Sequence, residues 1–133
     1  MKLILIVRIF FSIQLCAQKT AQDYYNIGTD SKNNDDAIIN FNKAIQIDSS
    51  FYKAYYSRGI AFFQKHDWIK ALKDFSKTIE LNSLYAEAYY FRGMIKNMLE
   101  SNFPATAGDS DIIKAKSLGM KVPELILKND TLK

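Results

Sequence analysis

The stretch Tyr-Tyr-Ser-Arg-Gly at 55–59 returns as Tyr-Tyr-Phe-Arg-Gly at 89–93, thirty-four residues later, and a weaker version, Tyr-Tyr-Asn-Ile-Gly, stands at 24–28. Self-similarity at a fixed period of this size marks a repeat architecture and constrains the fold more than any composition can. A shift of 34 also carries Ala37, Phe41, Ile45 and Ile47 onto Ala71, Phe75, Ile79 and Leu81. A third copy of that second half runs through 108–119 at a shift of 37, where Gly108, Ile112, Ala115 and Leu118 take the places of Ala71, Phe75, Thr78 and Leu81.

Each half has the three-and-four spacing of an amphipathic helix, as in Leu72, Phe75 and Ile79, or Tyr55, Gly59 and Phe62. The breakers fall between the halves, at Lys65–Asp67, Asp48–Ser50 and Leu81–Ser83, and Asp67 suits the N-cap of a helix starting at Trp68. Each unit therefore reads as helix, short turn, helix. Two prolines and five glycines in 133 residues agree with an all-helical chain, and 48% apolar residues suffice for one packed domain. A glycine inside a helix costs about 1 kcal/mol relative to alanine. Its recurrence predicts a compensating close approach, with Gly59 facing Ala71 and the third unit's Gly93 facing Gly108.

The first 17 residues differ from the rest. Lys2 precedes an apolar run from Leu3 to Phe11, and Ala17 precedes a candidate cleavage point, which is the layout of a secretory signal peptide with Arg8 as a blemish. The expectation is a periplasmic or secreted protein, with an uncleaved N-terminal membrane anchor as the alternative. Cleavage removes Lys2 and Arg8 and lowers the net charge from +4 to +2, which gives no reason to invoke nucleic acid. It also removes Cys16, the single cysteine, so packing alone must hold the mature chain.

The run Tyr55, Gly59, Phe62, Ala71, Phe75, Thr78 in a 34-residue helix-turn-helix unit resembles the tetratricopeptide repeat. The resemblance spans about 18–119, as units near 18–51, 52–85 and 86–119. It implies an all-α, right-handed superhelical solenoid of antiparallel helix pairs. The closing proline of the pattern is absent, with Ser49 and Ser83 in its place. The first unit looks one turn short, since Gly28 lies only nine residues before Ala37. The third has about three extra residues around Glu100–Ala107. Residues 120–133 are expected to form a capping helix starting near Pro123, or a tail.

Chemistry is sparse. His66, the single histidine, has no nucleophile or second ligand beside it and reads as a solvated turn residue. Residues 30–41 lack the glycine and terminal glutamate of a calcium loop and read instead as a turn and an acidic helix start. No paired carboxylates, metal-ligand spacing or phosphate loop points to an enzyme, and no cofactor or small-molecule substrate is expected. Arg58 and Arg92 each stand one residue before a glycine, and Asp74 and Asp111 one residue before the Phe75 and Ile112 places. Each arginine is expected to reach the aspartate of its own unit or a neighbouring helix, with a ligand carboxylate as the alternative.

The resemblance also implies that the first helix of each unit lines a concave groove. Its row here would be Tyr25, then Tyr56, Ile60 and Phe63, then Tyr90 and Met94. The basic and asparagine set with which some family members clamp a terminal carboxylate is missing; Lys53 is the only cation at such a place, and Glu87 replaces its next counterpart. An aromatic groove suits a protein or peptide partner. The alternatives are that these rings pack against the next helix, or form a homo-oligomer interface.

Overall fold

A computed structural model describes residues 18–99 and 107–123. The expected leader at 1–17, most of the inserted stretch (100–106) and the expected cap or tail from 124 lie outside the described residues. Among the described residues there are six α-helices and no strand: α1 (Ala21–Thr29), α2 (Asn34–Ile47), α3 (Tyr52–Gln64), α4 (Trp68–Leu81), α5 (Ala86–Met98) and α6 (Ala107–Ser117). Helices α2 and α4 begin and end 34 residues apart, as do α3 and α5, so the period in the sequence is a period in the backbone. Each helix packs on its neighbours in the chain, pairing as α1 with α2, α3 with α4 and α5 with α6, and the pairs stack through α2 on α3 and α4 on α5. The result is an all-α helical-repeat solenoid.

Local chemistry sets the helix ends. Thr20 and Asp23 form a reciprocal capping box on α1, Asn33 caps α2 by accepting from the Asp36 N–H, and Asp67 caps α4 by accepting from the Lys70 N–H, as its sequence position predicts. Helices α3 and α5 have no side-chain cap. Their N-cap positions carry Phe51 and Tyr85, whose rings pack on Tyr25 and on Tyr52 and Tyr56 instead. Helix α6 ends in a Schellman turn: Met120 donates to the Ala115 carbonyl and Gly119 to that of Lys116, with Gly119 at φ +93°.

The core runs along the axis of the stack as Phe41, Ala44, Ala54, Ala71, Phe75, Ala88, Ile95, Ile112 and Ala115. Burying one large side chain of this kind stabilises the fold by roughly 1.5–3 kcal/mol. The glycine contacts are partly as the sequence predicts. A Cβ on Gly93 would come within 2.6 Å of the Gly108 carbonyl, so those two small residues do face each other. Gly59 is different: its Cβ would lie 2.9 Å from the Phe75 ring and 3.3 Å from the Asp74 Cβ. Gly59 is thus a seat for a phenylalanine ring, rather than the partner of Ala71, because the ring of Phe75 leans across the helix pair into the space the missing side chain leaves.

Candidate functional site

The paired residues on the rim of the stack come out as their spacing predicts. Arg58 on α3 donates to both oxygens of Asp74 on α4, Nε at 2.8 Å and Nη2 at 2.7 Å, and its Nη1 donates to Asn42 on α2 at 2.6 Å. Arg92 on α5 repeats this, bidentate on Asp111 of α6 and donating to Ser76 of α4. Asn42 and Ser76 are themselves 34 residues apart. Each arginine thus ties its own helix pair and also reaches back to the pair before. Lys96 joins Asp111 at 2.8 Å. Burial pushes the Asp74 carboxyl above the usual range, against the downward pull of Arg58. These guanidiniums are committed within the protein, away from the groove side.

The groove side shows an asymmetry. Between α1 and α3 lies a cleft of about 500 Å³, with Gly28, Ala37 and Phe41 on one wall and Tyr56, Ser57, Ile60, Ala61 and Gln64 on the other. Thr29, Ser31 and Asn34 close it at the turn between α1 and α2, and Phe91 of α5 forms its far edge. No formally charged side chain lines it. The equivalent seam one pair later, between α3 and α5, is filled. Ser57, Ala61 and Asn34 correspond at a shift of 34 to Phe91, Ile95 and Trp68. Phe91 stacks on Phe75 with centroids 5.5 Å apart and planes at 19°, Ile95 is fully buried, and Phe63 meets Trp68 at 5.1 Å and Phe91 at 5.4 Å. Helix α1 contributes as well, being 9 residues long against 13 for α3, so nothing on it corresponds to Phe62 and Phe63.

The tyrosine rings repeat with the backbone. Tyr25 lies 5.8 Å from Phe41 and 5.1 Å from Phe51; Tyr56 lies 5.8 Å from Phe75 and 4.8 Å from Tyr85. The two rows part at the next contact. Tyr56 meets the Phe91 ring at 6.2 Å, whereas Tyr25 accepts a long hydrogen bond of 3.4 Å from the Ser57 hydroxyl. Burial, with Tyr85, Glu87 and Tyr25 nearby, pushes the Tyr56 hydroxyl well above the ordinary phenol range. Burial and Glu87 push Tyr85 up to about 12. Both stay neutral donors at any physiological pH.

Of the row read from the sequence, Tyr56 and Ile60 line the cleft, and Tyr25 supports it from behind Ser57. Phe63 packs on Trp68 and Phe91 in the closed seam. Tyr90 and Met94 are half-buried on α5, outside the cleft lining, with Tyr90 edge-on to Phe91 at 5.6 Å. Ser57, Ala61 and Asn34 escaped notice because they are small or polar; the signal available was their mismatch with Phe91, Ile95 and Trp68 in otherwise matching units. His66 is exposed in the turn at φ 60°, its ring 5.0 Å from Trp68. Among the described residues no cluster of three acidic, histidine or cysteine side chains could hold a metal, and no helix is long and apolar enough to cross a membrane.

The TPR repeat family matches residues 26–66, the segment that contains nearly all of the cleft. No curated protein sequence matches the chain. Among solved structures, the chain is similar to the crystal structure of MamA, with a TM-score of 0.68 and 22% identity over 74% of this chain. That alignment spans only 58% of the MamA chain. It is also similar to the second TPR of Spaghetti (RPAP3) bound to the HSP90 peptide SRMEEVD, with a TM-score of 0.69, 19% identity, and coverage of 75% of this chain and 93% of that one. Residues 26–66 are thus similar to the TPR repeat family, and the chain has the fold of these solved tetratricopeptide-type structures.

Proposed function

We propose that this protein is a non-catalytic interaction module that holds a segment of another protein in the tyrosine-rich groove formed by α1, α3 and α5, acting as a scaffold or adaptor. The observation that carries this reading is the open cleft between α1 and α3 beside Tyr56 and Ile60, on a fold whose solved neighbour binds a peptide. That neighbour's peptide has three acidic residues among its seven. In this chain Arg58, Arg92 and Lys96 are bound to Asp74 and Asp111, and the cleft lining supplies no cation. With Lys53 the one cation left on the groove row, the segment bound here is read as different in chemistry from an acidic tail.

The N-terminal leader supports export, so the partner is sought in the periplasm or outside the cell. Sequencing the N-terminus of the protein recovered from its native host should begin at Gln18; a chain that starts at Met1 contradicts cleavage. For the groove, the test compares partner capture from the native envelope by wild-type protein and Ile60→Glu. Ile60 is partly buried and touches the core, so circular dichroism must show that this variant keeps its helicity; the folded variant should lose the captured protein. Equal capture by both proteins contradicts the groove. Tyr56→Ala is a poorer probe, because Tyr56 also packs on Phe75, Tyr85 and Phe91.

A further inference from the structure

We propose that the cleft over Ser57 is a receptor for one large apolar side chain, aromatic by preference, supplied by the segment that the groove binds. This rests on the groove reading above and names the chemistry of the occupant. The closed seam shows what such a cleft accommodates. There the chain supplies its own ring, Phe91, which stacks on Phe75 beside Tyr56. In the open seam Phe41 and Tyr25 stand where Phe75 and Tyr56 stand, with the same 5.8 Å ring separation, and the third ring is replaced by the Ser57 hydroxymethyl. Two further large residues are missing from the same seam, at Asn34 and Ala61. The space is what an absent phenylalanine would occupy, with room around it.

Electrostatics select the same occupant. The lining carries no formal charge; Arg58 is engaged with Asp74 and Asn42, and Lys65 with Asp35 at 2.7 Å. A carboxylate or ammonium placed over Ser57 would lose water and gain no counter-charge from the lining. An uncharged ring loses little water and gains the Phe41 wall. The edge of the cleft supplies polar groups for the backbone of the bound segment. The side-chain amides of Asn34 and Gln64 make no hydrogen bond among the described residues, so each offers a donor pair and an acceptor. A volume of about 500 Å³ lies within the ordinary range for a preformed site, about 300–1,000 Å³.

The experiment is a selection from a degenerate octapeptide display library on the full-length chain, repeated on Ser57→Phe. Wild type should enrich Phe, Tyr, Trp or Leu at one fixed position. Ser57→Phe fills the cleft with the ring its own repeat-mate uses; it should lose that enrichment and bind the selected peptide at least about tenfold more weakly. Ala61→Ile, a smaller filling of the same space, serves if Ser57→Phe does not fold. Enrichment of charged residues, or an aromatic preference that survives both fillings, overturns this inference and leaves the groove reading standing. No enrichment by wild type overturns both. A wild-type dimer in light scattering that Ser57→Phe converts to monomer makes a second copy the occupant and overturns the partner assignment.

Discussion

The α1–α3 seam and the α3–α5 seam share a backbone plan and differ in what fills them. Phe41 and Phe75 are buried at the same place, and Tyr25 and Tyr56 lean on them at the same distance. The ion pairs differ too: Arg58 and Asp74 lock the second helix pair, while Ile27 and Asn40 stand at the corresponding places in the first. The second pair is thus tied by an ion pair that the first lacks, and the first is the part that keeps space. In a repeat protein the residues that recur hold the stack together. Here the residues that fail to recur make the site.

Phe91→Ala should have the largest effect. It removes the ring that closes the second seam, and urea unfolding should show a loss of about 3 kcal/mol, whereas Ser57→Ala should fall within about 0.5 kcal/mol of wild type. Similar losses at both positions would mean that the seams are packed alike. Next is the ion pair. Asp74→Ala strands a guanidinium whose side chain is only 19% exposed. Breaking a buried pair costs several kcal/mol, and the partial exposure reduces that here to about 2 kcal/mol. Asn40→Ala, its counterpart, should cost well under that in the same assay.

Two smaller effects sharpen the contrast. His66 in the second turn holds φ 60° without being glycine, and it is the only non-glycine residue among the described ones at positive φ. His66→Gly should stabilise by about 0.5 kcal/mol, the backbone relief being partly offset by the lost contact with Trp68. Thermal unfolding reads this; a lowered melting temperature would mean that the ring contact outweighs the backbone strain. Acid should separate the helix starts. Asp67 caps α4, and the Lys70 side chain and N–H hold its carboxyl below the usual range. Its folded value is lowered, so its contribution is complete above the ordinary carboxylate range and is lost as pH falls through the folded value. Asn33, the cap of α2, does not titrate. The protection factors of the amides in the first turn of α4 should therefore fall on acidification before those of α2.

Much of this was legible in the sequence. The period gave the helix pairs and the turns between them, and the spacing of Arg58 to Asp74 and of Arg92 to Asp111 gave the ion pairs, because both depend on residues that recur. The short first helix was legible for the same reason. The role of Gly59 was only half legible: the sequence showed that something approaches closely, while the leaning of the Phe75 ring depends on a rotamer. The cleft was the least legible feature. It is defined by side chains that are too small, at Ser57 and Ala61, and its walls come from three helices. The repeated tyrosine pair does not reveal the cleft: Tyr56 and Tyr90 look alike in the chain, yet Tyr56 borders the open seam and Tyr90 lies outside that cleft's lining.

The central claim is that the first seam is open because Ser57 stands where a phenylalanine would close it. A crystal structure of Ser57→Phe tests this most directly. The new ring should lie against Phe41 much as Phe91 lies on Phe75, near 5.5 Å between centroids, with the cleft gone. A ring turned out to solvent over an unchanged cleft would contradict it.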